Sequence, residues 1–563
     1  MVNVIKEALD LNNVKENKLY LIIRIMVSIL LGVSYFLDSI LVFKNDGLKT
    51  YWMYSGYEDV YFISPSPNSF LLLFLVSFFS FILISLVGLL VEKIKKKIWK
   101  HKEKNKYNKI TTYILIFTAI YLMYLPYALS FYPGGYDCNS RSVINQAIGK
   151  EIITNHYPVF YTFITSVFIN TGRLIDGTFE TGYTFLSTAQ FIFMIGMISY
   201  FIYWWYKKGA NKKVIIAMTL FFGLFKLFPL YAVTIWKETP FSLFIILYTL
   251  QIADIVLSKG NKLKSNKFIA SYVINTILIS CLRNNGIYIV IATTIFIIFT
   301  YRKYKKFIVT FCITSITLVI IQGPVFNILK INSKYIEKIG VPLQQISYVI
   351  VYNGNITEEQ HKYLETIMSI DLVKRKYTPW NVDYIKFDSE VNEELIKNNK
   401  FAFFKTWIEL FIQNPQMYIK AYLLNITGFW NINRVYNGDI KDYANPITNK
   451  VDQIESLGSQ RDLLLETTGF SLKKYMFSFT NEKEISTAIF IFIILISLAY
   501  TIKSKQYKLI LIYLPVLCTL GSILIATPIA FGLRYVYPVV LFTPFAILIP
   551  MMSIDKDNYM KKQ

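Results

Sequence analysis

The chain has 563 residues, 54% of them hydrophobic and 17% charged, with a mean hydropathy of +0.41, whereas a soluble domain carries about 25% charged residues. Lys and Arg number 59 against 36 Asp and Glu, a formal net charge of +23. This composition excludes a disordered chain, a collagen-like repeat and a disulfide-stapled miniprotein, and the excess charge has to be located before a nucleic-acid partner is read from it.

An α-helix needs about 20 apolar residues to cross a bilayer core. Windows of that kind, some slightly short, lie near 20–43, 69–91, 111–131, 183–206, 214–233, 240–257, 268–283, 286–300, 308–326, 486–502, 509–526 and 534–552. They predict an all-α polytopic membrane protein with about twelve transmembrane helices. The first window is long and has no small-residue cleavage site after it, so it reads as a retained signal-anchor. The run 157–171 (YPVFYTFITSVFINT) is too short to cross. It suits an interfacial or re-entrant helix at the outer surface, with a short tilted span as the alternative.

The charge sorts by loop. Segment 92–109 carries +7, segments 207–213, 259–267 and 301–306 carry +4 each, segment 503–508 carries +3 and the tail after 553 carries +1. Together they hold the whole +23. Short basic loops stay in the cytoplasm, and all of these fall on one side of a twelve-span path. Both termini are therefore expected in the cytoplasm, and the charge is not a nucleic-acid footprint. The loop 327–485 balances 19 basic against 19 acidic residues and is expected to be extracellular.

Four divisions follow: a two-span extension with its basic loop (1–109), a membrane core with its first outer loop at 132–182 (110–326), the extracytoplasmic domain (327–485) and a three-span segment (486–563). Within the third, 401–430 is apolar at helical spacing with Lys, Glu and Asn between, which suits a helix pair on the membrane surface. The cysteines, at 138, 281, 312 and 518, form no metal-spaced pair. The histidines number three; His101 and His361 have no partner pattern, so the sequence supplies no zinc site.

Ionisable groups near membrane depth are costly and so are functional candidates. Asp137 follows the helix-breaking Pro133, Gly134 and Gly135. As a carboxylate just beyond a span it suits a general base or metal ligand; a solvated loop aspartate or helix N-cap fits the spacing equally. His156, with Asn155 and Pro158, opens the interfacial run. Lys237 and Glu238 follow Trp236 in TIWKETPF, where an aromatic-belt anchor beside an ion pair is the structural alternative. Arg283 in CLRNNGIY suits a phosphate or pyrophosphate, and Asn284 and Asn285 suit sugar hydroxyls or a simple turn into Gly286. Gln344 and Gln345 (VPLQQIS) and Arg534 and Tyr535 (LRYVYP) complete the outer set. Nucleotide-binding GxxxxGK[ST] and GxGxxG loops are absent.

The order of a span, a short outer loop with an acidic residue and an apolar helix opened by His and Pro resembles the first outer loop of GT-C-type membrane glycosyltransferases. More closely, YPGGYDCNS…NHYPVFYTF, TIWKETPF, LRNNGIY, VPLQQIS, NPQMYIKAYL and LRYVYP resemble an uncharacterised group of Gram-positive bacterial membrane proteins related to those enzymes. The resemblance covers roughly residues 110–540. It implies a GT-C-like fold and transfer of a sugar from a polyprenyl-phosphate donor on the outer leaflet to an envelope glycan or protein acceptor. In it Asp137 matches the acidic residue that deprotonates the acceptor, Arg534 or Arg283 holds the departing lipid phosphate, and His156 and Lys237 line the donor site. Some relatives pair a second acid with the first; here Cys138 follows Asp137, so the resemblance requires no cofactor and leaves a divalent cation open. Two other readings remain. Arg24, Asp38, Lys226 and Asp254 in or near spans would serve a transporter or flippase of lipid-linked saccharides, although no internal repeat accompanies them. A large outer segment would also serve a scaffold for envelope assembly.

Overall fold

The structure, a computed structural model, describes residues 18–43, 60–98, 109–135, 138–331, 334–433, 461–473, 486–526, 529–530 and 532–552. Helices account for nearly all of it. The one sheet among the described residues is the antiparallel hairpin β1 (Leu41–Phe43) and β2 (Val60–Phe62), paired Leu41 to Phe62.

The helices up to residue 320 run in chain order as α1 (Lys18–Ile40), α2 (Pro67–Ile98), α3 (Lys109–Ser130), the polar α4 (Cys138–Ala147), α5 (Val159–Asp176), α6 (Phe179–Lys207), α7 (Lys212–Leu224), α8 (Leu227–Val233), α9 (Glu238–Leu257), α10 (Asn266–Leu282), α11 (Gly286–Thr300) and α12 (Lys305–Ile320). Polar side chains punctuate them. Thr178, Asn211 and Ser265 each accept a backbone N–H from the first turn of α6, α7 and α10, satisfying donors that a helix start leaves open. Eight helices among the described residues are long and apolar enough to cross a membrane, and a bent pair counts as a ninth. These are the helices of a multi-pass membrane protein. Three further apolar helices, α10, α11 and Thr487–Lys503, are 17, 15 and 17 residues long.

The window at 214–233 differs from a straight span. It breaks into α7 and α8, bent by 58°. The cause is Pro229: it has no N–H to give to the carbonyl of Phe225, and its ring crowds that carbonyl. The run 157–171 forms α5, which lies outside the set of membrane-crossing candidates. It buries Tyr161, Thr165 and Ile169 against its neighbours and leaves Phe163, Val167 and Leu174 exposed.

The segment after α12 is a bundle of short helices. It contains α13 (Gly340–Val351), α14 (Glu358–Ile367), α15 (Ile370–Lys376), α16 (Asp383–Lys386), α17 (Glu393–Asn398), α18 (Lys400–Gln413), α19 (Pro415–Asn425) and α20 (Thr427–Trp430). The pair expected in 401–430 is α18 and α19. α18 turns Phe403, Thr406 and Leu410 inward and leaves Phe401, Ile408 and Ile412 outward. After α21 (Leu463–Thr468), the apolar helices resume as α22 (Thr487–Lys503), α23 (Leu514–Ile525) and α24 (Tyr537–Leu548).

Hydrophobic burial divides this framework into three clusters. The largest fills the space among α3 to α11 and α22 to α24. The second is the core of the segment 334–433, and it takes in Ile40, Leu41, Val60 and Phe62 from α1 and the β-hairpin. The third joins α1, α2 and α22 through Tyr20, Ile84 and Tyr500. The first two helices are thus bound at both ends: Ser34 Oγ donates to Trp430 O (2.6 Å), and Asn431 and Asn433 each donate to Asp38 (2.8 Å).

Candidate functional site

The loop after α3 is pinned to the segment between α8 and α9. Gly135 N donates to Val233 O (2.8 Å), Ile235 N donates to Gly135 O (3.0 Å), and Ser140 Oγ donates to Ile235 O (2.5 Å). Gln190 from α6 closes the join by donating to Thr234 O (2.5 Å). Asp137 lies outside the described residues; Gly135 and Ser140, on either side of it, are both fixed to this segment. The join also draws the following residue inward. Trp236 is buried, with its ring 4.9 Å from that of Tyr231, and so belongs to the core.

Lys237 and Glu238 follow directly. Glu238, the first residue of α9, is buried. The Lys237 ammonium faces the Tyr157 ring at 5.0 Å and donates to His156 O at 3.5 Å. Arg283, in extended backbone at the end of α10, places its guanidinium 5.4 Å from the Phe241 ring and 5.2 Å from the Tyr535 ring, and donates to Tyr535 O at 3.4 Å. Arg534 reaches the same tyrosine, 5.1 Å from its ring and donating to its hydroxyl at 3.2 Å. The Tyr535 ring is in turn packed over Gly532, where an added Cβ would sit 2.4 Å from the ring. Only glycine permits that approach.

Lys237, Arg283 and Arg534 therefore gather beside one buried carboxylate, Glu238. Burial holds the Lys237 ammonium below its ordinary pKa; Glu238 opposes this, and the charges of Arg283 and Arg534 add to it. Like charges near one another repel, and the two guanidiniums carry the planar donors that suit phosphate. Nearby, Asn284 Nδ2 donates to Asn155 O (2.6 Å) and Asn285 Nδ2 to Ser522 Oγ (2.8 Å), so both act here as braces between loops.

His156 joins this group by its backbone. Its imidazole turns the other way, with Nδ1 2.8 Å from Glu337 Oε1 and the ring edge-on to Phe387. Glu337 is held in addition by Lys386 (3.0 Å), and Lys386 by Asp383 (2.6 Å). These partners come from the segment 334–433, and the sequence offered no signal for them, because Glu337 and Lys386 are 49 positions apart within a stretch of balanced charge. Gln344 and Gln345 are not part of the group. Gln344 is buried beside the second core cluster and donates to Thr378 O (2.7 Å), while Gln345 bonds Tyr418 O and the Trp407 indole.

No three His, Cys, Asp or Glu side chains among the described residues are grouped as a metal site would need. Comparison with curated proteins and with solved structures returned no match. A family model described as a family of unknown function, DUF6020, matches residues 148–563, which include every described member of the cationic group. The chain belongs to the DUF6020 family.

Proposed function

We propose that the protein is a membrane glycosyltransferase that moves a sugar from a polyprenyl-phosphate donor to a cell-envelope acceptor on the extracytoplasmic face. The observation that carries this reading is that Arg283 and Arg534 both lie against Tyr535 at the ends of apolar helices, with Lys237 near enough for both of their charges to act on it. A lipid phosphate needs just such a place, with cations for the head group beside a surface that lipid reaches.

In this mechanism the acceptor hydroxyl gives its proton to Asp137 as its oxygen attacks the anomeric carbon. The bond from that carbon to the phosphate oxygen breaks, and the electron pair leaves on the polyprenyl phosphate. Arg283 and Arg534 stabilise the charge that grows there. Lys237 adds a third positive charge, and the external segment receives the acceptor.

The membrane path proposed with it has twelve crossings. The bent pair α7–α8 and the shorter helices α10, α11 and α22 complete the eight longer spans, α5 lies at the outer interface, and the basic loops and both termini face the cytoplasm. The polar groups inside the core favour this reading over transport. Tyr248, Tyr272 and Thr294 bond one another at 2.6–2.9 Å, and Gln251 bonds Asn275 at 2.9 Å. Bonds of this kind between helices act as glue.

The test uses membranes containing the full chain and a polyprenyl-phosphate sugar with a radiolabelled sugar. Asp137→Asn and Arg534→Ala should abolish release of label to acceptor while expression is unchanged. Turnover by Asp137→Asn would remove Asp137 from its role; lipid-linked sugar crossing the bilayer equally well in both variants would favour a flippase.

A further inference from the structure

The strap Thr154–Tyr157 lies between the cationic group and the external segment, and it is held from both sides. On the membrane-core side, Asn284 donates to Asn155 O, Lys237 donates to His156 O, and the Lys237 ammonium faces the Tyr157 ring. On the other side the strap is held through the His156 side chain, by Glu337 at 2.8 Å and by the edge of Phe387 at 5.9 Å. We infer that Glu337 is a positioning residue: it fixes the strap through His156, and the strap fixes Lys237 in the cationic site. What the site binds rests on the reading above; the positional role of Glu337 does not.

The support behind Glu337 is firm. It lies in a 3-10 turn, Tyr335–Ile339, whose Ile336 and Ile339 are buried in the external core. Its second oxygen takes the Lys386 ammonium, whose side chain is 2% exposed and also holds Asp383. A buried ammonium with two carboxylate partners moves little, because leaving either partner would expose an uncompensated charge to a poorly solvating interior. The membrane core brings three cations and the carboxylate of Glu238; the external segment brings the carboxylates of Glu337 and Asp383 with the ammonium of Lys386, and a second ammonium, Lys334, lies over the Phe387 ring at 5.4 Å. Glu337 therefore reaches Lys237 in two ways, by contact through His156 and by its field. The groups facing Lys237 are Glu238, Arg283, Arg534, Glu337, the His156 carbonyl and the Tyr157 ring.

Replacing Glu337 by Gln keeps the size and removes the charge. Lys237 then loses a nearby negative field and the restraint on its carbonyl acceptor, so a larger fraction of it is neutral amine at a given pH and it is more open to reagent.

The experiment follows acylation of Lys237 by an amine-reactive ester across pH in the full chain in lipid nanodiscs, read by mass spectrometry of the Lys237 peptide. Glu337→Gln should move the rate profile to lower pH and raise the rate at neutral pH by roughly three- to tenfold, since one pKa unit is a factor of ten in neutral amine. Glu337→Asp should recover part of the wild-type profile. Glu390→Gln, which breaks only an exposed pair with Arg375, should leave it unchanged. If Glu337→Gln does not fold, His156→Gln breaks the same contact from the strap side and should accelerate acylation in the same direction by a smaller factor, because the Glu337 charge remains. A profile for either variant that superimposes on wild type overturns the inference. Inorganic pyrophosphate added to the wild type separates the two ideas: protection of Lys237 supports the anion site, and no protection overturns that reading while the variants still decide the role of Glu337.

Discussion

Glu337 gives the sharpest quantitative expectation. Burial pushes its carboxyl up, but the hydrogen bond from His156 and the charge of Lys386 outweigh burial and hold it at about 2, from an ordinary 4.5. Its side chain is 27% exposed, so little of this is lost to solvent screening. A drop from 4.5 to about 2 corresponds to about 3 kcal/mol favouring the folded, ionised state. A carboxyl whose pKa is lowered by folding contributes fully above its unfolded value, and the contribution disappears as pH falls through the folded value. The window is therefore from about 4.5 down to about 2. Thermal unfolding of the detergent-solubilised protein, read across pH, should show Glu337→Gln less stable than wild type by about 3 kcal/mol at neutral pH. The two should converge as pH approaches 2, where the wild-type carboxyl is itself protonated. Equal stability at neutral pH, or a gap that persists to the lowest pH, would refute the reasoning.

Three other outcomes follow from packing and topology. At Gly182, where α5 and α6 cross, an added Cβ would lie 2.4 Å from Ile169 O and 2.5 Å from its Cα, so Gly182→Val should cost about 3 kcal/mol. Gly196→Ala on the same helix meets only Tyr113 Oη at 3.5 Å and should be neutral or stabilising by up to about 1 kcal/mol; melting by fluorescence-detected size exclusion compares the two. A membrane-impermeant maleimide on intact cells should label Cys138 and lose its signal in Cys138→Ser, since Cys281, Cys312 and Cys518 lie within apolar helices; unchanged labelling would contradict the proposed membrane path. Arg24 is buried in α1, 2.9 Å from Ser85 Oγ and 3.8 Å from the Phe81 ring. Arg24→Met should keep the melting temperature, because a buried charge is replaced by similar apolar volume. Arg24→Ala should lose about 2 kcal/mol through the cavity it leaves.

Helix positions and the cationic residues were legible because they depend on local pattern. A bilayer-length apolar run is a property of some twenty consecutive residues, and polar groups at its ends stand out against it. That is why Lys237, Glu238, Arg283, Arg534 and Tyr535 could be singled out. Details that depend on one residue's backbone were less visible: Pro229 broke an apparently continuous window, and the bridge from Gly135 to the chain around Thr234 took Trp236 inward. The same reading that found Arg283 grouped Gln344 and Gln345 with the outer set; α13 buries Gln344 in a core apart from the cationic group.

The sequence by itself determined the membrane class, the sites of the helices and the location of the positive charge, since hydropathy and loop charge act over short stretches without reference to the rest of the chain. Only the tertiary structure decided which distant charges meet. Glu337, Asp383 and Lys386 look like ordinary loop residues in a neutral segment, and His156 looks like a side chain for the outer site. Folding sets the imidazole against Glu337 and leaves the carbonyl to Lys237. Such pairing is fixed by packing of helices far apart in sequence, and an ion pair that forms across that distance leaves no periodic trace in the residues between.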